Sequence, residues 1–239
     1  MTKKTRLLYC TGVDGCGKTT LALKLAERLR EHNYVYVYGQ YIPFLLKPVK
    51  WLAQRFFLGH ENEMQDYERY MQKKKRASGR HGRLARVYAA FWILDYSLQL
   101  AVKLFKPLCT GKSIIMDRYY FDTAVNLAIL QGLHPVETTG VIKSMMRIFP
   151  APSLAIYLYV PEEVAYARKD DIQALEYLSE RQIYYQELAG QYDWFTIDGT
   201  QTTQGVLNDA IFLIAQLDTT LKIGIHETRV QQNSLCACQ

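Results

Sequence analysis

Apolar positions along this chain fall into two rhythms that alternate from one end to the other. Short apolar runs bounded by turn residues read as buried strands: "RLLYCTG" at residues 6–12, "YVYVYG" at 34–39, "KSIIMD" at 112–117, "SLAIYLYV" at 153–160 and, more weakly, "WFTID" at 194–198. Between them apolar residues recur every three or four positions, predicting helices over about 19–31, 84–104, 122–130, 138–148, 162–168, 173–188 and 204–217. In the first helix Leu21, Ala22, Leu25 and Leu29 share a face. Five strands alternating with helices predict one α/β domain, a doubly wound parallel sheet covered by helices on both faces.

Two stretches break the rhythm. Residues 41–82 mix Pro43 and Pro48 with the apolar patch "VKWLAQRFFL" and a charged run, which marks a helical or loop insertion after the second strand. Residues 219–239 lack periodicity and read as a tail, leaving 1–218 as the folded domain. At 49% hydrophobic and 22% charged residues the chain has ample material for a packed core, and no run of about 18 apolar residues predicts a membrane span.

The net charge of +6 is concentrated in "KKKRASGRHGRLAR", residues 73–86. Such a cluster suits an anionic small molecule, nucleic acid or an acidic surface, or is simply a solvated loop. The start, "MTKKTRLLYCTG", runs straight into a glycine loop and does not read as a leader peptide. Five cysteines without metal-type spacing imply reduced thiols and a cytoplasmic location; the ending "SLCACQ" is read either as a prenylation box or as a plain C-x-C tail.

The candidate chemistry begins with "CTGVDGCGKTT". Residues Gly12, Val13, Asp14, Gly15, Cys16, Gly17, Lys18 and Thr19 match G-x-x-x-x-G-K-[ST] at every fixed position, between a strand and a helix. Glycines let the backbone curl so that successive N–H groups face phosphate oxygens, and the following helix, through Thr20, adds its positive dipole end. Lys18 is expected on the β and γ oxygens of ATP, with the Thr19 hydroxyl on Mg²⁺. A thiol beside a lysine and a helix N-terminus tends toward thiolate, so Cys16 is expected to react with alkylating agents and to be shielded by ATP, or else to be an inert filler of the loop.

The second half of the site is "IIMDRYYFD". A carboxylate at the C-terminal end of the third strand lies where open α/β sheets place their chemistry, so Asp117 is a candidate for Mg²⁺ or its waters. Arg118 is a candidate clamp for a phosphate.

Together "GVDGCGKTT", "GKSIIMDRYYFD", "LAIYLYVPEEVAYAR" and "WFTIDGTQTTQGV" resemble, in order and spacing, the thymidylate kinase family of P-loop nucleoside monophosphate kinases, over residues 5–40 and 108–217. The resemblance implies a P-loop NTPase-type fold and a homodimer. It implies that Asp14 faces the acceptor's sugar and Arg118 grips the acceptor phosphate. It also implies a mobile lid over 168–181 that closes arginines on ATP, with Arg168 and Arg181 as candidates. Some members carry an arginine within the loop at the position of Gly15; this chain does not, and so resembles those that depend on a lid arginine.

The acceptor half departs from the pattern. After the second strand stands "YGQYIPFLLKP", without the family's arginine. On the helix before the Asp-Arg strand, Phe91 or Trp92 is placed to stack on a base, but Asp95 and Tyr96 stand near where an arginine is expected. The reading is therefore an ATP- and Mg²⁺-dependent kinase acting on a small-molecule phosphate acceptor, a nucleoside monophosphate such as dTMP first. A kinase of a nucleoside, sugar or other hydroxyl compound is the alternative, with Asp117 or Asp95 as base; a nucleotide-binding regulatory protein without transfer is the second.

Overall fold

The computed structural model describes residues 5–42, 82–169 and 174–217, and of residues 82–86 and 88 the backbone alone. The chain runs β1 (Leu7–Thr11), α1 (Lys18–Arg28), a 3₁₀ turn (Arg30–His32), β2 (Tyr34–Tyr38), α2 (Gly82–Cys109), β3 (Ser113–Asp117) and α3 (Tyr120–Gln131). A second 3₁₀ turn (Pro135–Thr138), α4 (Thr139–Met146), β4 (Leu154–Tyr159), α5 (Glu162–Ala167), α6 (Leu175–Gln191), β5 (Phe195–Asp198) and α7 (Thr203–Leu217) complete it.

The five strands form one parallel sheet in the order β2-β3-β1-β4-β5. This is the expected α/β architecture. β1 and β3, at the centre, are buried at every position, which is why they read as unbroken apolar runs. The two edge strands are less buried, and in β5 Ile197 alone is fully covered. On the faces, Leu21, Ala22 and Leu25 of α1, Leu100 and Leu104 of α2, and Ala124, Val125 and Ala128 of α3 close the core. Tyr9 lies at its middle, stacked on Phe121 and edge-on to Trp194.

Helix ends differ from the sequence reading in two places. The first helix stops at Arg28 and leaves through the 3₁₀ turn, with Asn33 in the left-handed conformation (φ 69°) turning the chain into β2. α2 runs longer than expected at both ends, from Gly82 to Cys109. Residues 43–81, 170–173 and 218–239, which carry most of the expected insertion and basic cluster, the middle of the lid, and the tail, lie outside the described residues. Among the described residues no helix is long and apolar enough to cross a membrane.

What matters for function is the register of the two central strands. Cys10 pairs with Asp117, so the loop after β1 and the turn after β3 leave the sheet side by side at its carboxyl edge. That edge is the crevice where open α/β sheets bind ligands.

Candidate nucleotide site

Between β1 and α1 the chain curls tightly. Gly15 has φ 87°, and a Cβ there would lie 2.2 Å from the carbonyl oxygen of Ala165 in α5, so no side chain fits. The Lys18 side chain is buried beneath the loop and donates to the Val13 carbonyl at 3.1 Å. The first amides of α1 have no carbonyl within the helix to bond, which leaves them facing the crevice as anion donors.

Asp14 is the hub. Its Oδ1 accepts from Lys18 Nζ at 3.1 Å and from Arg118 Nη2, and its Oδ2 accepts from the Tyr177 hydroxyl of α6 at 3.0 Å. Burial pushes the Asp14 carboxyl up, but the two cations and these bonds outweigh it and hold it well below the usual carboxylate range. Arg118 itself adopts φ 65°, a left-handed conformation uncommon for a residue with a side chain. Its Nε is buried without a hydrogen bond among the described residues, an unmet donor facing the site.

Asp117 ends β3 beside this cluster. Its Oδ2 accepts from the Tyr36 hydroxyl of β2 at 3.1 Å, while Oδ1 is buried without a hydrogen bond of ordinary geometry among the described residues. Burial raises its pKa, and the neighbouring Thr19 hydroxyl, Lys18, Tyr36 and Arg118 only partly offset that. A carboxylate oxygen left unsatisfied next to a hydroxyl is the donor set a hard divalent cation takes, so Thr19 and Asp117 fit Mg²⁺.

Where the acceptor is expected, the crevice is bordered by α2 and the segment after β2. The Gly39 amide bonds the Asp117 carbonyl at 2.8 Å, bringing residues 40–42 alongside α2. There Tyr41 donates to Asp95 Oδ2 at 3.0 Å, Gln99 bonds both Asp95 Oδ1 and the Ile42 carbonyl, and Lys103 bonds the Gln40 carbonyl. The Trp92 ring lies 5.3 Å from the Tyr41 ring. Of the two aromatics expected to stack, helical phase turns Trp92 toward this side and puts Phe91, 53% exposed, on the outward face with Val87 and Leu98. Asp95 is buried and accepts from the Tyr41 hydroxyl.

The two lid arginines part company. Arg168, just past α5, is exposed and bonds the Gly199 carbonyl after β5 at 2.9 Å. Arg181 lies flat on the Tyr177 ring, 3.5 Å from its centroid, and bonds Asn126 Oδ1, so it belongs to the Asp14 side of the site.

For Cys16 the geometry favours the second of the two readings, an inert filler of the loop. Its side chain is buried, with its sulfur 2.7 Å from where a Gly12 Cβ would stand, and burial raises the thiol's pKa despite Lys18. It fills the back of the loop and offers the crevice its backbone.

No protein family model matches the chain. Curated relatives do. The probable thymidylate kinase 1 of Saccharolobus solfataricus is 26% identical over 217 residues, covering 87% of this chain and 96% of the relative. The probable thymidylate kinase of Metallosphaera sedula is 27% identical over 218 residues, 88% and 93% of the two chains. That of Caldivirga maquilingensis is 25% identical over 210 residues, 85% and 90%. Over most of its length the chain is similar to curated thymidylate kinases.

The likeness bears on two of the departures. In thymidylate kinases with a loop arginine, that residue stands where Gly15 is; here the Ala165 carbonyl fills the space its Cβ needs. The missing arginine after β2 is matched by no other cation among residues 39–42, and Tyr41 and Gln40 occupy that bend. Several site residues escaped the sequence reading, Tyr36, Tyr177 and Asn126 among them. Tyr36 had a signal, since period-2 alternation puts Tyr34, Tyr36 and Tyr38 on one face of β2. Tyr177 and Asn126 had none, because their partners are distant in sequence.

Proposed function

We propose that the protein transfers the γ-phosphoryl group of ATP, with Mg²⁺, to a nucleoside monophosphate, dTMP foremost. One juxtaposition carries the reading. Lys18, the donor-side cation of the loop, and Arg118, the acceptor-side cation after β3, converge on a single carboxylate, with Arg118 Nε still unmet. Two cations that share one anion are set to hold two phosphates a short distance apart, which is what in-line phosphoryl transfer requires.

In this reading Lys18 and the amides at the start of α1 hold the transferring phosphate and its neighbours, and Thr19 and Asp117 hold Mg²⁺. When bound there, the ion would supply charge neutralisation for the transfer. Arg118 orients the acceptor phosphate, Asp14 the sugar, and Trp92 with Tyr41 borders the base. Arg168 supplies the lid charge over ATP. A phosphate acceptor is already nucleophilic, so no general base is needed. Residues 1–218 act as one kinase domain followed by a tail, in the cytoplasm.

The same reading carries a homodimer through α2. Val87, Leu94, Leu98, Val102 and Phe105 are each more than half exposed and recur at the seven- and three-to-four-residue spacing of a helix seam. From 87 to 105 the only charges, Asp95 and Lys103, turn inward to hold Tyr41 and Gln40. An uncharged face about 27 Å long suits a second copy of itself, and a partner covering it approaches the roughly 800 Å² per side of a stable interface.

An acceptor panel tests the activity. With ATP and Mg²⁺, dTMP should yield dTDP at a kcat/KM above that of dUMP, dCMP, AMP and free nucleosides. A monoester formed from a nucleoside or sugar, or ATP binding without turnover on any acceptor, overturns the reading.

A further inference from the structure

Behind Arg118 lies a second carboxylate that the proposed reaction does not use. Asp122, in the first turn of α3, is 3% exposed. Four donors converge on it. Oδ1 accepts from the Thr11 hydroxyl at 3.1 Å and the Tyr185 hydroxyl at 2.8 Å; Oδ2 accepts from the Tyr9 hydroxyl and the Tyr119 amide, each at 2.7 Å. A carboxylate has about four lone-pair positions, and here each has its donor. The donors come from three directions: β1 through Tyr9 and Thr11, α6 through Tyr185, and the turn after β3 through Tyr119.

The Tyr119 amide is the informative one, since the preceding residue is Arg118 with its φ of 65°. A left-handed residue with a Cβ is sterically disfavoured and persists only where neighbours hold it. One neighbour is the bond from Arg118 N to the Cys10 carbonyl at 3.4 Å, a long one; the other is the short bond from Tyr119 N to Asp122. We propose that Asp122 is a positioning residue, one buried anion that fixes the turn aiming Arg118 and ties that turn to β1 and to α6. After Asp14, Asp122 is also among the anions that favour the charged form of Arg118. α6 is the helix that supplies Tyr177 and Arg181, so Asp122 sets the Arg118 turn and the far wall of the site from one point. Serine or asparagine at this position would cap the helix but could not accept from all four donors.

This inference rests on the kinase reading for its kinetic consequence and on the geometry alone for its structural one. Asp122→Ala removes both oxygens and leaves the Tyr119 amide without its acceptor, whereas Asn would keep one by turning its oxygen to that amide and its NH₂ to the Thr11 and Tyr185 hydroxyls, which can accept. Losing a buried charged hydrogen bond predicts a rise in the dTMP KM of about 10- to 100-fold, with the ATP KM within about twofold. In a crystal structure of the variant, Arg118 should leave the left-handed conformation and its bond to Asp14. A merely structural role would lower the melting temperature and leave both KM values and the Arg118 turn in place in the folded protein; that result overturns the proposal. If Asp122→Ala does not fold, Asp122→Ser, which keeps an acceptor for Tyr119 N, is read in the same two ways, with a smaller rise in KM expected. If the wild-type protein phosphorylates no nucleoside monophosphate, the functional reading fails by itself, and the position of Arg118 in the variant crystal still decides the role of Asp122.

Discussion

Tyr177 donates its hydroxyl proton to Asp14 at 3.0 Å, so α6 is pinned to the centre of the phosphate loop. Burial, partly offset by Arg181, pushes the tyrosine's pKa up to about 12, so it stays a donor throughout the working range of an enzyme. Tyr177→Phe removes that bond while keeping the ring under Arg181. The expected result is a loss of stability of about 1.5–3 kcal/mol, the usual worth of a hydrogen bond to a charged group, and a severalfold rise in the acceptor KM. Thermal melts and initial rates on the purified variant check both.

Asp117 carries the pH dependence. Its native pKa is raised, so the ionised form is disfavoured on folding and costs stability at neutral pH; that cost fades as pH falls through the native pKa. Asp117→Asn should therefore melt at or above the wild-type temperature at neutral pH, while losing at least about 100-fold in kcat through the missing Mg²⁺ ligand. The wild-type rate should fall on the acid side with an apparent pKa above the ordinary carboxylate value of about 3.9. An unchanged rate in the variant excludes Asp117 from the reaction.

Two loop glycines separate crowding from backbone conformation. Both have positive φ, but a Cβ on Gly15 meets the Ala165 carbonyl at 2.2 Å and one on Gly17 meets nothing within 4 Å. Gly17→Ala should cost about 1–2 kcal/mol, the left-handed penalty alone. Gly15→Ala adds the overlap and should cost more, with weakened ATP binding. Urea unfolding and nucleotide titration of the pair measure the difference.

Thiol labelling tests the burial of the loop cysteine. Cys109 is exposed, whereas Cys10 and Cys16 are buried. Iodoacetamide on the native protein near neutral pH should mark the Cys109 peptide and leave those of Cys10 and Cys16 unmarked with or without ATP, as peptide mass spectrometry would read. Labelling of Cys16 as fast as Cys109, slowed by ATP, would restore the reactive thiol.

For the α2 seam, Leu98→Glu puts a charge on the middle of an apolar face with no basic partner nearby. A dimer built there should shift to monomer in analytical ultracentrifugation, with the melting temperature of the monomer little changed because Leu98 is 52% exposed. A wild-type monomer at micromolar concentration, or a dimer indifferent to the substitution, rejects the seam.

The sheet was readable because its central strands are buried on both faces and so appear as continuous apolar runs; β5 read weakly because Ile197 is its one buried position. α2 was set too short because both of its faces are apolar, Leu100 and Leu104 inward and Leu98 and Val102 outward, and a helix without a polar side gives no clear phase. The cations of the site were legible because they sit in local motifs. Asp122 stood in plain view in "DRYYFD", yet two of its donors are Tyr9 and Tyr185, 113 and 63 residues away. Tyr177 is 163 residues from Asp14. Pairings of that span are products of the packed sheet and helices, and no spacing rule reveals them.

The carboxylate of Asp14 gives the site an occupant of its own. A phosphate settling between Lys18 and Arg118 would not enter an open positive well; it would take over contacts that an internal anion already holds. Ligand entry is then an exchange of one anion for another. Affinity should fall less steeply with added salt than two uncompensated cations would dictate, and the weakest of competing anions in the cell would be turned away by the protein's own side chain.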